Sequence, residues 1–428
     1  MTNKIAIVGT GYVGLTTGAY LAHLGHDVVC ADVVPEKIER LKRGDVPILE
    51  AGLDDLVAEG LAAGRLSFVV GAANAVVDAE FVFLCVPTPQ GEDGAADLSY
   101  VRDAAAEIAP HLMAEAVVIN KSTVPVGSTR VVEEAMDRDD VFVVSNPEFL
   151  REGSAVHDCL HPDRIVIGAD DQAAAMRVAG LFESLKAPLV ITDPASAETI
   201  KYASNAFLAT KVSFVNALAN VCEAVGADVR EVVLGMGYDK RIGFEFLKPG
   251  PGWGGSCFPK DTRAMVRIAE DHGYDFDLLR GVITVNDEQY ERMAAKVERM
   301  LGGSLDGAVV AAWGLTFKAR TDDLRDSPAI EVLHRLKARG AGTIRAYDPG
   351  APGTSPMYQG IEVVDDAYAA CEGADVLVVL TEWDDFRWMD FAKVAGLMRQ
   401  AKIVDTRNLL EPAAVRRRGF LYEGLGRA

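Results

Sequence analysis

The sequence has few cysteines, and none of them is spaced for a metal site or a disulfide framework. The six stand at positions 30, 85, 159, 222, 257 and 371, with no C-x-x-C pair among them. Zinc sites and disulfide-rich secreted domains need closely spaced or numerous cysteines. We therefore expect a protein of a reducing compartment that binds no metal.

Positive charge is also scarce, and long apolar runs are missing. Lys and Arg number 43 against 63 Asp and Glu, which gives a formal net charge of −20. This argues against a nucleic acid or an anionic membrane as partner, because both attract basic surfaces. No window approaches the ~18 apolar residues of a membrane span, and MTNKIAIVGTGYVGL is unlike a signal peptide. We expect a cytoplasmic protein that holds any anionic ligand with locally clustered basic residues.

Short Val- and Ile-rich segments alternate with helical ones over the first part of the chain. They are KIAIVG, DVVCADV, FVFLCVP, AVVINKST and VFVVSNPE. This alternation is typical of βαβ units that build a parallel sheet buried on both faces. Because a chain of 428 residues exceeds the size of one core, several domains are expected. The first is an α/β Rossmann-like domain over residues 1–192.

The pattern then changes to long helical periodicity, with Pro194 near the start and Gly226 near the end of one helix. We expect a central helical domain over residues 193–298 that contributes a subunit contact. Strand and helix alternation returns in AVVAAWG, TIRAYDP, ADVLVVLTEW and KIVDTRN. These segments predict a second, smaller α/β domain over residues 299–428.

The segment IAIVGTGYVG predicts a dinucleotide site. Gly9, Gly11 and Gly14 have G-x-G-x-x-G spacing after a first strand, where glycine permits a tight turn, approach of a pyrophosphate and close helix packing. Asp32 ends the second strand, where a carboxylate accepts hydrogen bonds from ribose hydroxyls and repels a 2′-phosphate. NAD is therefore favoured over NADP. Lys37 either contacts the adenosine or is a solvated surface lysine.

Cys257 stands alone in a glycine-rich polar loop, GPGWGGSCFPKD. A nucleophilic thiol needs a nearby positive charge, a base or a helix N-terminus to become a thiolate. Lys260 and Asp261 follow within one turn, and a helix starting at Cys257 places Cys257 and Asp261 on one face. A buried thiol in a tight loop is the alternative.

Two further groups of polar residues have candidate roles. KYASN sets Lys201 and Asn205 at i,i+4 on the central helix, where an ammonium and an amide together can stabilise an oxyanion. NPEFLREG supplies Glu148 and Glu152 after a strand, at the edge where doubly wound sheets bind ligands. A solvated helix face and ordinary strand-end acids remain open as alternatives.

These residues resemble the UDP-glucose 6-dehydrogenases, within the wider nucleotide-sugar dehydrogenases. The resemblance runs nearly end to end through segments of high specificity: GTGYVG, VPTPQGEDGAADLSYV, KSTVPVGSTR, NPEFLREGSAV, KYASNAFLATK, DKRIG, GPGWGGSCFPKDT, GLTFKARTDDLRDSP and VDTRN. It implies an oxidation of the sugar C6 hydroxymethyl to a carboxylate with two NAD⁺ and one water. It further implies that Cys257 forms a thiohemiacetal and then a thioester.

The resemblance also assigns roles by position. The implied catalytic residues are Cys257, Lys201, Asn205, Asp261, Glu148 and Thr123. The implied cofactor-binding residues are Gly9, Gly11, Tyr12, Val13, Gly14, Asp32, Lys37, Val86, Thr88, Thr123, Glu152 and Arg325. The implied substrate-binding residues are Glu148, Phe149, Leu150, Arg151, Glu152, Lys201, Asn205, Arg241, Phe246, Lys248, Gly254, Phe317, Lys318 and Arg407. Arg241 matches an arginine delivered across a subunit boundary, which implies a homodimer or a higher homo-oligomer, with a UDP-sugar as substrate.

Three alternatives stay open at this point. A sister enzyme acting on GDP-mannose or UDP-N-acetylmannosamine would share all the catalytic residues. A two-electron dehydrogenase of the 6-phosphogluconate or 3-hydroxyacid type would share the Rossmann domain and the helical middle but would need no thiol. A non-catalytic binding or regulatory module could retain the fold.

Overall fold

The computed structural model describes residues 2–89, 91 and 96–427 of the chain. Gln90 and residues 92–95 of the predicted VPTPQGEDGAADLSYV motif therefore lie outside the described residues. The chain divides into two compact units, residues 1–204 with 263–272 and residues 205–262 with 273–428. Among the described residues, no helix is both long enough and apolar enough to cross a membrane.

The first unit is built on one sheet with helices on both of its faces. Its strands are β1 (Lys4–Val8), β2 (Asp27–Asp32), β3 (Leu66–Val70), β4 (Phe81–Leu84), β5 (Val117–Asn120), β6 (Phe142–Ser145), β7 (Ile165–Gly168) and β8 (Leu189–Thr192). Its helices are α1 (Tyr12–His23), α2 (Pro35–Lys42), α3 (Leu53–Ala62), α4 (Ala73–Val76), α5 (Ser99–Ile108), α6 (Ser128–Met136), α7 (Ala155–Leu160) and α8 (Gln172–Gly180). Short 3₁₀ helices cover Ala109–His111 and Glu183–Leu185.

Within the described residues, the strand order of this sheet is β3-β2-β1-β4-β5-β6-β7-β8. The neighbouring strands are parallel except β6 and β7, which pair antiparallel. The two faces of β1 enter different cores: Ile5 and Ile7 pack in one, and Ala6 and Val8 in the other. The first six strands thus follow the doubly wound order 3-2-1-4-5-6, whose ligand crevice lies at the carboxyl ends of β1 and β4.

Two of the three boundaries between the units fall within helices, and the third follows His272. The helix α9 covers Pro194–Val225, and the first boundary falls after Ser204 within it. Its ends confirm the two signals in the sequence, since Pro194 is its first residue and Gly226 follows it with φ +74°. The helix α11 covers Phe258–Asp271, and the next boundary falls after Thr262 within it.

The second unit contains another doubly wound sheet. Its strands are β9 (Val309–Trp313), β10 (Thr343–Tyr347), β11 (Glu362–Val363), β12 (Val376–Val379), β13 (Lys402–Asp405) and β14 (Leu421–Glu423). Its further helices are α10 (Val229–Gly237), α12 (Asp277–Met300), α13 (Pro328–Ala338), α14 (Ala367–Cys371), α15 (Phe391–Leu397) and α16 (Pro412–Arg417). Short 3₁₀ helices cover Pro356–Tyr358 and Asp384–Trp388.

Its order, β11-β10-β9-β12-β13-β14 with parallel pairs, repeats the 3-2-1-4-5-6 arrangement of the first sheet. The α/β fold with two Rossmann-like sheets is therefore confirmed. The same local device occurs in both sheets, although no sequence repeat was visible. Asp32 Oδ2 accepts hydrogen bonds from the N–H and hydroxyl of Thr10, and Asp348 Oδ2 accepts them from the same two groups of Thr316. In each sheet an acid at the carboxyl end of the second strand, Asp32 as its last residue and Asp348 directly after it, binds the turn that follows the first strand.

Candidate active site

The turn between β1 and α1 has the shape that a dinucleotide requires. Gly9 has φ +98°, and a Cβ there would lie 2.5 Å from the carbonyl oxygen of Cys85. A Cβ on Gly14 would lie 1.9 Å from the carbonyl oxygen of Gly9, so α1 can approach the turn only with glycine at position 14. At Gly11 a Cβ would meet nothing within 4 Å, and no side chain caps the helix. The N–H groups at this helix N-terminus are thus accessible to an anion, and these residues fit the pyrophosphate of NAD.

Asp32 is held at the end of β2 by several donors. Lys37 Nζ lies 3.0 Å from Oδ2, and the Val34 N–H donates to Oδ1 at 3.1 Å. Burial by itself raises the pKa of Asp32, but the hydrogen bonds from Thr10 and Lys37 outweigh it and hold the pKa below its usual value. The carboxylate is therefore ionised at neutral pH, as repulsion of a 2′-phosphate requires. Lys37, one of the predicted cofactor residues, is bound to this acid.

The loops after β4 and β5 are joined by side-chain hydrogen bonds. The Thr88 hydroxyl donates to the Thr123 carbonyl oxygen at 2.8 Å, and the Ser122 hydroxyl donates to that of Val86 at 2.7 Å. The Thr123 hydroxyl in turn donates to Glu148 Oε1 at 3.4 Å. The structure thus brings together three predicted cofactor residues, Val86, Thr88 and Thr123, with the predicted base Glu148.

Glu148 and Lys201 form a buried ion pair in the first unit. Lys201 Nζ lies 2.8 Å from Glu148 Oε1, and the side chains are only 4% and 5% exposed. Glu148 Oε2 accepts the N–H of Leu150 at 3.0 Å. The pair is thus held out of water, where electrostatic interactions are strong.

The segment NPEFLREG reaches the first turn of α1. The Tyr12 hydroxyl donates to Glu50 and accepts the N–H of Gly153, and Gly153 also donates to Glu50 Oε2 at 2.6 Å. Burial and the neighbouring Glu50 raise the pKa of Tyr12 well above its usual value, with a further contribution from Glu152. The predicted cofactor residues Tyr12, Val13 and Glu152 therefore belong to one region. Sequence reasoning missed Glu50, which no motif marks.

Two other contacts fix the same segment. Arg151 forms a bidentate ion pair with Asp158, at 3.0 Å from Nε and 2.6 Å from Nη2. The buried Lys121 donates to Asn146 Oδ1 at 3.0 Å, and burial lowers the pKa of Lys121. Sequence reasoning missed Lys121, although its place directly after β5 at the ligand-binding edge of the sheet was a usable signal.

In the second unit, Cys257 directly precedes α11 and caps it. Its carbonyl oxygen accepts the N–H of Asp261 at 2.8 Å, and its Sγ lies 3.5 Å from the Ser256 hydroxyl. Cys257 is partly exposed, whereas Cys30, Cys85, Cys222 and Cys371 are buried. A partly exposed cysteine at a helix N-terminus is in a position where reactive cysteines are found.

Cys159 is the other partly exposed cysteine. It lies in the short helix α7. Burial raises the pKa of its thiol to about 12.

Asp261 is completely buried and contacts Asn205, another predicted site residue, and the neighbouring Lys260. The Asn205 amide donates to its Oδ2 at 2.6 Å, and Lys260 Nζ lies 2.7 Å from its Oδ1. Both of its oxygens are therefore occupied. The structure brings Asn205 and Asp261 together in the second unit. The Lys260 ammonium forms an ion pair with the Asp261 carboxylate.

The glycines before Cys257 let the loop pack closely. A Cβ on Gly254 would lie 1.8 Å from the carbonyl oxygen of Asp326, so only glycine fits there. Buried amides from α9 and α12 bind the loop backbone: Asn216 accepts the Gly250 N–H at 2.8 Å, and Asn286 accepts the Trp253 N–H at 2.8 Å. Sequence reasoning missed these two amides, because nothing local links a helix residue to a loop far along the chain.

Phe246 and Lys248 lie just before this loop. Phe246 has φ +60°, a left-handed conformation that is unusual for a bulky residue and often marks a functional site. Its ring centroid is 6.2 Å from that of Phe258. Lys248 is exposed.

Three predicted substrate residues meet at the carboxyl ends of β9, β12 and β13. Arg407 donates to the carbonyl oxygens of Leu380 and Phe317 at 2.8 and 3.1 Å, and Lys318 Nζ lies over the Phe317 ring at 5.3 Å. A Cβ on Gly250 would lie 3.1 Å from Arg407 Nη1, so the glycine loop borders this group. Arg407 Nε also lies 3.0 Å from Glu382 Oε2. These contacts place two basic residues, one of them paired with an acid, at the ligand edge of the second sheet.

Two predicted arginines are each bound to a nearby acid, and the carbonyl oxygen of one of them, Arg325, accepts the Gly255 N–H of the cysteine loop at 3.1 Å. Arg241 forms a bidentate pair with Asp239, and its side chain is 88% exposed. Arg325 pairs with Asp323 in the same way and is 62% exposed. Their roles toward the partner subunit and the cofactor stay predictions.

Sequence profiles of one family match most of the chain. The NAD binding domain of the UDP-glucose/GDP-mannose dehydrogenase family matches residues 3–186, its central domain residues 195–288, and its UDP binding domain residues 311–412. The chain belongs to this family. It is an NAD-dependent oxidoreductase with NAD as cofactor.

Individual relatives match this chain over nearly the whole length of both sequences. The chain is 47% identical to a UDP-glucose 6-dehydrogenase of Rhizobium meliloti, covering 99% of each chain. It is 44% identical to the UDP-glucose 6-dehydrogenase TuaD of Bacillus subtilis, covering 99% of this chain and 93% of that one. A solved UDP-glucose dehydrogenase from Pyrobaculum islandicum has a TM-score of 0.92 at 37% identity, covering 100% of this chain and 98% of that chain.

Proposed function

We propose that this family member oxidises the C6 hydroxymethyl of UDP-glucose to a carboxylate in two steps and releases UDP-glucuronate. The UDP-glucose 6-dehydrogenases it resembles support this substrate. The observation that carries the chemistry is Cys257, a partly exposed thiol at the head of α11. Two-electron oxidation of an alcohol needs no thiol, whereas oxidation beyond the aldehyde requires a nucleophile to add first.

The cofactor accepts the electrons in each of the two oxidations. Gly9, Gly11 and Gly14 form the turn that receives its pyrophosphate, and Asp32 accepts its ribose hydroxyls. Tyr12, Val13, Lys37, Val86, Thr88, Thr123, Glu152 and Arg325 complete the proposed cofactor set.

Cys257 adds to the aldehyde carbon after the first oxidation, forming a carbon–sulfur bond and a thiohemiacetal. Loss of the second pair of electrons leaves a thioester on Cys257. Water then attacks the thioester carbon, a carbon–oxygen bond replaces the carbon–sulfur bond, and the thiolate leaves. One UDP-glucose, two NAD⁺ and one water thereby give one UDP-glucuronate, two NADH and protons.

The surrounding polar groups act on the oxygens and on the water. We assign Lys201 and Asn205 to the C6 oxygen, since an ammonium and an amide both stabilise developing negative charge. Glu148 takes a proton from the attacking water, and Thr123, bound to Glu148, helps to hold that water. Asp261 orients the water and passes protons.

The nucleotide part of the substrate is assigned to the second unit. Phe246 stacks on the uracil, the loop from Lys248 through Gly254 encloses the nucleotide, and Lys318 and Arg407 contact its anionic groups. Their clustering with Phe317 supports this assignment, because a protein of net charge −20 must concentrate cations locally to hold a diphosphate. Phe149, Leu150 and Arg151 contribute to substrate binding in the first unit.

We further propose a homodimer formed through α9. Phe207, Phe214 and Val221 recur every seven residues on this helix and are 65%, 53% and 56% exposed. Such a stripe faces one side of a helix and is expected to be covered. Tyr238 and Phe244, which contact each other edge to face, add further exposed aromatic surface. A second copy of the chain would cover the α9 stripe and the Tyr238–Phe244 pair. Arg241 would then reach the substrate site of the partner subunit.

The division into residues 1–192, 193–298 and 299–428 and the cytoplasmic location remain predictions. In the proposed division, the central part provides the dimer contact and the catalytic cysteine loop.

The stoichiometry of the reaction tests the proposal. Purified protein with limiting UDP-glucose and excess NAD⁺ should yield two NADH per sugar nucleotide and no free aldehyde. One NADH with a released aldehyde would favour the two-electron dehydrogenase, and no turnover would favour a binding module. Parallel assays with GDP-mannose and UDP-N-acetylmannosamine serve as matched substrates, and a higher kcat/KM for either would transfer the assignment to that sister activity.

A further inference from the structure

An aromatic ring lies beside the Glu148–Lys201 pair and carries a second cation. The Arg164 guanidinium carbon is 3.7 Å from the centroid of the Phe149 ring, and Lys201 Nζ is 5.6 Å from the same centroid. Phe149 directly follows Glu148, and Arg164 directly precedes β7. All four residues belong to the first unit.

The Phe149 ring is the side chain on which the Arg164 guanidinium stacks. Within residues 2–89, 91 and 96–427, its guanidinium has neither a hydrogen bond nor an ion pair. Burial lowers the pKa of Arg164, and only the charge of Asp163 opposes this. A partly buried guanidinium gains more from stacking on an aromatic face than a lysine would, because it is planar and weakly hydrated.

The stacking of Arg164 on Phe149 limits the movement of the segment that also carries Glu148, the proposed base. Turning the Phe149 ring would remove its contacts with both cations. Glu148 is held at one oxygen by Lys201 and at the other by the Leu150 N–H. The Lys201 ammonium thus contacts two features of one short segment, the Glu148 carboxylate and the Phe149 ring, and Arg164 stacks on the second of them.

We propose that Arg164 is a positioning residue for the oxidation: it holds the Phe149 ring where the ring and Glu148 together locate the Lys201 ammonium. This rests on the proposed function, in which Lys201 binds the C6 oxygen. Arg164 acts through Phe149 and does not itself touch the substrate.

The test uses Arg164→Met and Arg164→Lys in the full-length protein. Arg164→Met should lower kcat by roughly 10- to 100-fold, since small misplacements of catalytic groups have effects of this size. The KM values for UDP-glucose and NAD⁺ should change by less than about threefold. Arg164→Lys, which retains the charge but not the plane, should recover part of kcat.

Arg177→Met is the matched control. Arg177 is also partly buried in the first unit and lies over a phenylalanine, 5.3 Å from the centroid of Phe81. It should keep the wild-type kcat, which separates a positioning effect from the general loss of an arginine–phenylalanine contact.

A double-mutant cycle with Phe149→Leu identifies the route of the effect. If Arg164 acts through the ring, Arg164→Met should add little in the Phe149→Leu background. An undiminished effect there, or a rise in the KM for UDP-glucose that exceeds the fall in kcat, would overturn the proposal in favour of direct anion binding by Arg164. An unchanged kcat in Arg164→Met would also overturn it.

The wild-type protein separates the two levels of the inference. Failure of the wild type to oxidise UDP-glucose would refute the proposed function. Turnover of UDP-glucose by the wild type with an unaffected Arg164→Met would refute only the positioning role. Should Arg164→Met not fold, Arg164→Lys and the Phe149→Leu cycle decide the question.

Discussion

The Asn205 amide donates a hydrogen bond of 2.6 Å to the Asp261 carboxylate, and neither side chain is exposed to an appreciable degree. Asp261 also pairs with Lys260 at 2.7 Å. We propose that Asn205 therefore has two tasks, to hold the acid in place and to contact the substrate oxygen.

Replacing Asn205 by Ala should reduce both activity and stability. The free energy of unfolding should fall by about 1–3 kcal/mol, because a buried carboxylate oxygen loses its donor. Urea denaturation measures this change, and NADH production measures kcat. Asn220→Ala is the control, since Asn220 also lies on α9 and bonds another side chain, Gln289, at 3.2 Å. Equal loss of kcat in both variants would contradict the assignment of Asn205.

Replacing Cys257 by Ala should abolish production of the acid while leaving sugar-nucleotide binding nearly unchanged. The thiol matters only once an aldehyde exists, so its loss removes the second oxidation but not recognition. Calorimetric titration with UDP-glucose and quantification of UDP-glucuronate measure the two properties. Cys257→Ser should accumulate an ester or turn over slowly, because an alkoxide leaves less readily than a thiolate.

The other partly exposed cysteine provides the comparison for this prediction. Cys159→Ala changes a thiol that burial keeps protonated, with a pKa of about 12. It should retain acid production. Wild-type acid production by Cys257→Ala would end the covalent mechanism.

Breaking the Glu148–Lys201 pair from one side should cost more stability than removing both charges. Lys201→Met or Glu148→Gln alone leaves a buried charge without its partner, which typically costs ~3–5 kcal/mol, whereas the double variant removes that penalty. Urea denaturation of the four proteins gives the coupling energy. The exposed pair Arg130–Glu133 is the control and should couple by no more than about 1 kcal/mol. A coupling energy for the buried pair as small as this would contradict its role.

Replacing Asp32 by Ala should raise the KM for NAD⁺ more than the KM for UDP-glucose, since the carboxylate is proposed to bind ribose. Steady-state kinetics with each substrate varied in turn measures this difference. Asp45→Ala is the control, because Asp45 pairs with Arg40 on the surface of the same unit. A larger change in the KM for UDP-glucose than in the KM for NAD⁺ would contradict the ribose-binding role of Asp32.

Asp32 should also contribute to stability in a pH-dependent way. Its folded-state pKa lies below the ordinary value of 3.8. Folding thus favours the ionised form of Asp32. Its contribution to the free energy of unfolding is fully present above pH ~3.8 and is lost as the pH falls through the folded-state pKa. The difference in unfolding free energy between the wild type and Asp32→Asn should be constant from pH 6 to 8 and shrink below about pH 4. If the difference in unfolding free energy between the wild type and Asp32→Asn increased as the pH was lowered, the prediction would be wrong.

A charge introduced on the exposed face of α9 should separate the proposed dimer. Phe214→Glu places a carboxylate in the apolar stripe, so the mass measured by analytical ultracentrifugation should fall to that of one chain. Met176→Glu is the control, because Met176 is similarly exposed, at 56%, but lies on α8. A wild-type mass of one chain, or an unchanged mass in Phe214→Glu, would contradict the interface.

Local features of the chain were predictable because neighbouring residues encode them. The turn from β1 into α1 depends on glycines at fixed offsets, and the ends of α9 depend on Pro194 and Gly226. Strands β3, β7, β8, β11 and β14 were not among the predicted segments, although β3, β7 and β8 are no shorter than the predicted β4, β5 and β6. The antiparallel pairing of β6 with β7 could not be predicted either, because strand direction follows from the path of the chain.

The sequence by itself determined the kinds of residue that the chemistry needs, and it placed Lys201 and Asn205 one turn apart on a helix. Only the tertiary structure decided their partners: Lys201 pairs with Glu148, Asn205 with Asp261, and Phe149 receives Arg164. The physical reason is range. Helix capping and tight turns depend on atoms a few residues apart, whereas a buried ion pair or a stacked cation requires distant segments to pack together first, and no local pattern records which segments meet.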